Sequence, residues 1–155
     1  FLEPDHDLSY QNVTFAERDN VIVGMLCVFT AEQHRRSSRQ TLKRAAGRWN
    51  LRMRIVLILF APLIRIIDSI ADGDFYVHAI AVDKEVRGDG VGSVLMDALE
   101  DRARASGSTR LSLDVSAKNE GARGFYERRG MNVEFQWPKR LAIPGLKLYR
   151  MTKGL

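Results

Sequence analysis

Cysteine occurs once, proline four times and tryptophan twice among the 155 residues. A lone thiol, Cys27, can close no internal disulfide and build no cysteine-rich metal site, so no metal is expected. It sits in the apolar run Val21 to Phe29, as a buried thiol would, and nothing calls for an oxidising compartment. No run of roughly 20 uncharged apolar residues could span a bilayer, and no secretory signal opens the chain. The expected location is the cytoplasm. Internal repeats and low-complexity linkers are also missing, so residues 1–155 read as one domain, long enough to bury a core without staples. The opening Phe1-Leu2-Glu3-Pro4-Asp5 carries no initiator and reads like the middle of something longer.

Acidic residues are missing from one segment. Between Gln33 and Ile67 there are nine Lys or Arg and no Asp or Glu. Removing those nine from the 24 basic residues leaves 15 against 19 acidic ones, so the net charge of +5 belongs to that segment. An argument for nucleic acid can apply only there, and Trp49 is the one aromatic among the basic residues from Arg35 to Arg54, which speaks against it.

What is present alternates strand and helix patterns. Leu8 to Ala16 and Val21 to Thr30 are rich in strand formers, and the polar Glu17 to Asn20 joins them as a hairpin. From Leu42 to Ile67 apolar residues recur at three- and four-residue steps, which predicts helices near 34–48 and 51–71, with Pro62 straining the second. Phe75 to Val82 reads as a central strand and Val91 to Ala105 as an amphipathic helix closed by Gly107. Leu111 to Val115 is a short strand, and Asn119 to Arg129 is a helix stopped by Gly130. Met131 to Gln136 and Leu146 to Thr152 are the last strands. The order β-β-(α-α)-β-α-β-α-β-β indicates a mixed α/β domain around a sheet.

Between the central strand and the amphipathic helix lies Arg87-Gly88-Asp89-Gly90-Val91-Gly92. A helix start leaves N–H groups without carbonyl partners and carries partial positive charge, so a phosphate suits it. Two common phosphate loops are excluded. The triphosphatase loop needs Lys before Ser or Thr, and Gly92 precedes Ser93. The dinucleotide fingerprint spaces its last glycines three apart, and Gly90 and Gly92 are two apart. A glycine-rich turn that merely reverses the chain is the competing reading.

The segment fits [Arg/Gln]-x-x-Gly-x-[Gly/Ala] and resembles the acetyl-CoA-binding motif of the GNAT superfamily of N-acetyltransferases. His78 to Val82 before it, Asn119…Phe125-Tyr126-Glu127-Arg128-Arg129-Gly130-Met131 after it, and the closing Met151-Thr152-Lys153 are similar to further elements of that family. The resemblance covers 74–153 most clearly, and the hairpin 8–30 less so. It implies a GNAT fold, a central mixed and mostly antiparallel sheet flanked by helices. It implies acetyl-CoA as acyl donor and a primary amine, of a small molecule or a peptide, as acceptor.

Carried over by residue, the resemblance implies that Ile80, Ala81 and Val82 pair through their backbone with the pantetheine amides. Backbone groups from Arg87 or Gly88 through Asp89, Gly90, Val91, Gly92 and Ser93 would hold the pyrophosphate, with Arg87 near it. Asn119 would contact the cofactor, and Tyr126 would give a proton to the departing thiolate. A buried tyrosine stays protonated at neutral pH, which suits that role; on helix spacing alone it is equally a core aromatic like Phe125. His78 is the candidate base or water-relay residue, against the reading of a satisfied strand histidine, and Asp114 is the next candidate, with a surface or structural role favoured for it. No serine, histidine and acid are spaced for a covalent nucleophile, so direct transfer in a ternary complex is expected. The alternative is a module that binds an acyl-CoA without turning it over.

Two features depart from the family. Its first strand and following helices have no counterpart before Leu8, which puts acceptor specificity in doubt. About forty residues, 33–73, also stand where the family has a short turn. A helical pair packed on the domain or on a twin subunit, a membrane-surface contact and an active-site lid are its competing readings, the first favoured, which makes a homodimer one expectation.

Overall fold

The computed structural model describes residues 10–35, 70–138 and 147–155. The helices expected near 34–48 and 51–71, and with them every reading of the 33–73 segment, fall largely outside these residues; residues 31–35 are helical.

The strands are β1 (Val13–Arg18), β2 (Val21–Thr30), β3 (Asp74–Val82), β4 (Arg110–Ser116), β5 (Asn132–Trp137) and β6 (Leu148–Gly154). Two long helices, α1 (Val91–Ala105) and α2 (Glu120–Arg128), follow β3 and β4. The first strand starts later and runs further than the sequence suggested. Asp19 and Asn20 both take positive φ, so two residues suffice for the turn and the ladder extends to Arg18.

The six strands form one sheet in the order β1-β2-β3-β4-β6-β5. Only β3 and β4 run parallel, because α1 carries the chain back across the sheet between them. The sheet is thus mixed and mostly antiparallel, the GNAT arrangement.

Side chains at alternate positions point to one face: Leu26 and Val28 of β2, Phe75 and Val77 of β3, Leu111, Leu113 and Val115 of β4, and Met151 of β6. Against them α1 buries Val91, Leu95, Met96, Leu99 and Ala103, a stripe at helical spacing. Full burial of a leucine such as Leu99 is worth about 1.5–3 kcal/mol. Tyr126 joins this core from α2. A smaller cluster, Phe29, Ala31, Ile70 and Tyr76, sits apart from it.

Gly24 allows α1 to lie so close. A Cβ there would stand 3.1 Å from Leu95 Cδ1 and 3.2 Å from both Val91 Cγ1 and the Ala81 carbonyl oxygen. At the other end of α1, Glu100 is buried and accepts hydrogen bonds from Lys153 Nζ (2.7 Å), Arg129 Nη2 (3.3 Å) and Arg104 Nη2 (3.3 Å). These bonds tie α1 to β6 and to the end of α2.

Candidate active site

Parallel pairing between β3 and β4 runs from Asp74↔Arg110 to Val77↔Leu113 and stops, although β3 continues to Val82 and β4 to Ser116. Beyond those four pairs the strands part. The edge of β3 over 78–82 that would face β4 therefore has backbone groups with no ladder to join, a place for an extended ligand to pair as an added strand. Ile80, Ala81 and Val82 lie on this released edge.

The glycine loop stands at the same end of the sheet. Asp83 caps a short 3-10 turn, Lys84–Val86, by accepting from the Glu85 amide at 2.9 Å. Gly88 and Gly90 then take φ of 98° and 87°, a region that costs any other residue about 1–2 kcal/mol. Gly90 caps α1, and its carbonyl accepts from Ser93 N (2.9 Å) and Val94 N (3.1 Å). The Asp89 amide is turned inward to Val86 O at 3.3 Å. Among the described residues the amides of Gly88, Gly90, Val91 and Gly92 have no backbone acceptor. A Cβ added at Gly88 or Gly90 would meet nothing within 4 Å, so the space over the loop is open. Free donors, open space and a helix N-terminus together fit a diphosphate.

Arg87 does not extend from the loop. Its Nε donates to the Val82 carbonyl at 3.2 Å, folding the side chain back on the end of β3. The Asp89 carboxylate pairs with Arg18 Nη1 at 2.9 Å, an exposed contact of small energetic worth that draws the acid toward the hairpin.

On the other side of the parting stands α2. Asn119 caps it by accepting from the Ala122 amide at 3.1 Å. Phe125 leans on the first turn of α1, and Tyr126 meets Phe125 edge-on with ring centroids 5.4 Å apart. Tyr126 is 6% exposed, and burial pushes its pKa up to about 12. The hydroxyl is therefore protonated throughout the neutral range and available as a donor.

His78 occupies a bulge. Cys27 pairs with Ala79 and Val28 with Val77, so His78 is an extra residue on β3 without a partner on β2. The bulge exposes the imidazole, which stands 5.8 Å from the ring of Phe29. Phe29 belongs to the cluster apart from the helices, and Tyr126 to the core beneath them. The two candidate proton-handling groups thus approach the parted strands from opposite faces of the sheet.

Asp114 lies just past the last β3–β4 pair. Arg150 holds it bidentately, with Nε 2.6 Å from Oδ1 and Nη2 2.9 Å from Oδ2, and Tyr76 donates its hydroxyl to Oδ2 at 2.9 Å. Both carboxylate oxygens are committed to this network. Burial first, and the adjacent carboxylate second, drive the pKa of Tyr76 far above that of a free tyrosine. The sequence offers Asp114 as the next candidate base, with a surface or structural role favoured, and gives no part to Tyr76 and Arg150. The one signal in β6 is that Arg150 stands between Tyr149 and Met151, in a strand that also carries Thr152 and Lys153.

Residues 2–131 match the acetyltransferase (GNAT) family. The chain belongs to that family. It is an N-acetyltransferase, and the family's acyl donor is acetyl-CoA. A crystal structure of an acetyltransferase is similar at 26% identity, with a TM-score of 0.62 over 97% of this chain and 74% of that one. The ribosomal-protein-alanine N-acetyltransferase from Brucella melitensis shares the fold at 19% identity, with a TM-score of 0.57 over 92% of this chain and 68% of that one. So does Naa50 from Arabidopsis thaliana, solved with the bisubstrate analogue CoA-Ac-MVNAL, at 16% identity and a TM-score of 0.58 over 92% and 72%. No curated protein matches the sequence. Among the described residues no cluster of His, Cys, Asp and Glu could hold a metal, and no helix is long and apolar enough to cross a membrane.

Proposed function

We propose that this acetyltransferase moves the acetyl group of acetyl-CoA to a primary amine by direct attack within a ternary complex. The observation that carries the reading is the parting of β3 and β4 after Val77↔Leu113, with the free amides of the glycine loop at its mouth. When bound, acetyl-CoA supplies an acetyl group activated as a thioester. The chain's own residues hold and orient it. The backbone of Ile80, Ala81 and Val82 pairs with the amides of the pantetheine arm. The amides of Gly88, Gly90, Val91 and Gly92 face the diphosphate, while Asp89 and Ser93 shape the loop from within. Arg87, expected beside the phosphates, instead braces the end of β3 through its bond to the Val82 carbonyl, and Asn119 fixes the start of α2 against the donor.

Transfer forms a bond from nitrogen to the acetyl carbon and breaks the bond from that carbon to sulfur. The amine must arrive without its extra proton, and the sulfur must leave with one or with equivalent stabilisation. His78, exposed on its bulge, accepts the amine proton directly or through water. Tyr126 donates to the sulfur from the opposite face.

The deep burial of Tyr126 also favours a second reading, in which it is only a core aromatic and the domain binds an acyl-CoA without turning it over. Turnover separates the two. With acetyl-CoA and a panel of amines, the wild-type protein should release CoA and yield acetylated amine. Tyr126→Phe should bind the donor as before and lose turnover by about 10²–10⁴-fold, the usual worth of a general acid. Donor binding with no turnover on any amine would favour the binding module.

A further inference from the structure

Two arginine–aspartate forks bracket the short parallel ladder at the centre of the sheet. At its start, Arg110 Nε and Nη2 meet Asp74 Oδ1 and Oδ2 at 2.6 and 3.2 Å, and Asp74↔Arg110 is the first pair of the ladder. At its end, Arg150 grips Asp114, the first residue of β4 past the last pair Val77↔Leu113. Tyr76, in the last pair but one, reaches the same carboxylate from β3. Three strands, β3, β4 and β6, are thus cross-linked where the slot opens.

The second fork is the more deeply buried one. Arg150 is 2% exposed, and its guanidinium lies 5.5 Å from the ring centroid of Tyr76 and 5.4 Å from that of Phe135. Burying such a pair is costly, and hydrophobic residues of like size often serve stability as well or better. What a fixed fork supplies instead is geometry. Parallel strands with free backbone groups on facing edges gain by continuing to pair, and an unanchored β4 could close the gap or widen it. Held from β6 by Arg150 and touched from β3 by Tyr76, Asp114 sits at one distance from both neighbours.

We propose that Arg150, acting through Asp114 and Tyr76, is a positioning residue that fixes where β3 and β4 part and so sets the slot for the acyl donor. The inference rests on the proposed acetyl-CoA site and adds to it a residue that touches neither donor nor acceptor. The fork at Asp74 serves as the internal control, since it closes the same ladder at the end away from the slot.

The test uses the full chain with Tyr76→Phe, Arg150→Lys and Arg110→Lys, reading two quantities. These are the affinity for acetyl-CoA by calorimetry and the urea midpoint of the ligand-free protein. Tyr76→Phe, which removes one oxygen, should weaken acetyl-CoA by about tenfold and also lower the midpoint, because the Asp114 carboxylate loses a partner in the free protein. Arg150→Lys, which cannot reproduce the fork, should weaken it at least as much. Arg110→Lys should lower the midpoint and leave the affinity unchanged. Equal affinity of Tyr76→Phe and wild type would overturn the proposal, as would an equal loss of affinity in Arg110→Lys. Should Arg150→Lys not fold, Tyr76→Phe alone decides. A folded wild type that binds no acetyl-CoA would overturn the reading of the site itself, and this proposal with it.

Discussion

A Cβ built on Gly92 would stand 3.4 Å from Cζ of Phe125 and 3.6 Å from its Cε2. The first turn of α1 and the face of α2 that carries Phe125 and Tyr126 are therefore in van der Waals contact, with room for a methyl group and nothing larger. Gly92→Ala should fold with unchanged or slightly raised stability, because alanine favours a helix over glycine by about 0.5–1 kcal/mol. Gly92→Leu should overpack the contact and cost about 1–3 kcal/mol in urea unfolding. A leucine tolerated without loss would show that the helices are not held together there.

Tyr126 sets the alkaline behaviour. With its pKa pushed up to about 12 by burial, the hydroxyl stays protonated past 10.0, the ordinary tyrosine value. A kcat profile should hence show no falling limb from this group near the ordinary tyrosine value. A limb near the ordinary value that disappears in Tyr126→Phe would mean that the hydroxyl is exposed in the working enzyme.

Both predictions use side chains whose roles were only half legible in the sequence. The glycines of the loop, the cap at Asn119 and the helix they bracket could be read directly, because each is a local requirement of the backbone. Turn and strand limits shifted by a few residues where the backbone could do more with less, as at Asp19-Asn20. The bulge at His78 was not legible, since it follows from the register of β2 against β3. Nor was the fork on Asp114, whose partner Arg150 comes from a strand 36 residues later in the chain. Long-range side-chain pairs leave no periodicity, so a sequence shows them only as a charge at an apolar position.

Glu100 couples stability to acid. Burial alone would raise its pKa, but hydrogen bonds and charge from Lys153, then Arg129, outweigh it and hold the group below its ordinary 4.5. A carboxyl with a depressed folded pKa contributes stability that is fully present above the unfolded value and lost as pH falls through the folded one. Urea midpoints should therefore fall with pH from near 4.5 downward, and Glu100→Gln should flatten that part of the curve. An unchanged acid slope in the variant would place the coupling elsewhere.

The control fork makes its own prediction. Asp74 is 1% exposed, and Arg110 supplies its two hydrogen bonds while also meeting Glu134 Oε1 at 3.0 Å. Arg110→Met would leave a buried carboxylate uncompensated, at a cost of about 3–5 kcal/mol in equilibrium unfolding. Asp74→Asn in the same background should recover part of the loss by removing the stranded charge. No recovery would mean that the guanidinium acts there mainly through packing.

The central claim is that the parted strands and the glycine loop hold acetyl-CoA. Calorimetric titration of the purified protein with acetyl-CoA, repeated on Gly90→Glu, tests it most directly. Gly90 caps α1 at positive φ, and glutamate there strains the cap and sets a negative charge where the diphosphate is placed. The account predicts binding at about micromolar Kd by the wild type and none by the folded variant. Equal binding by both, or no binding by a folded wild type, would contradict it.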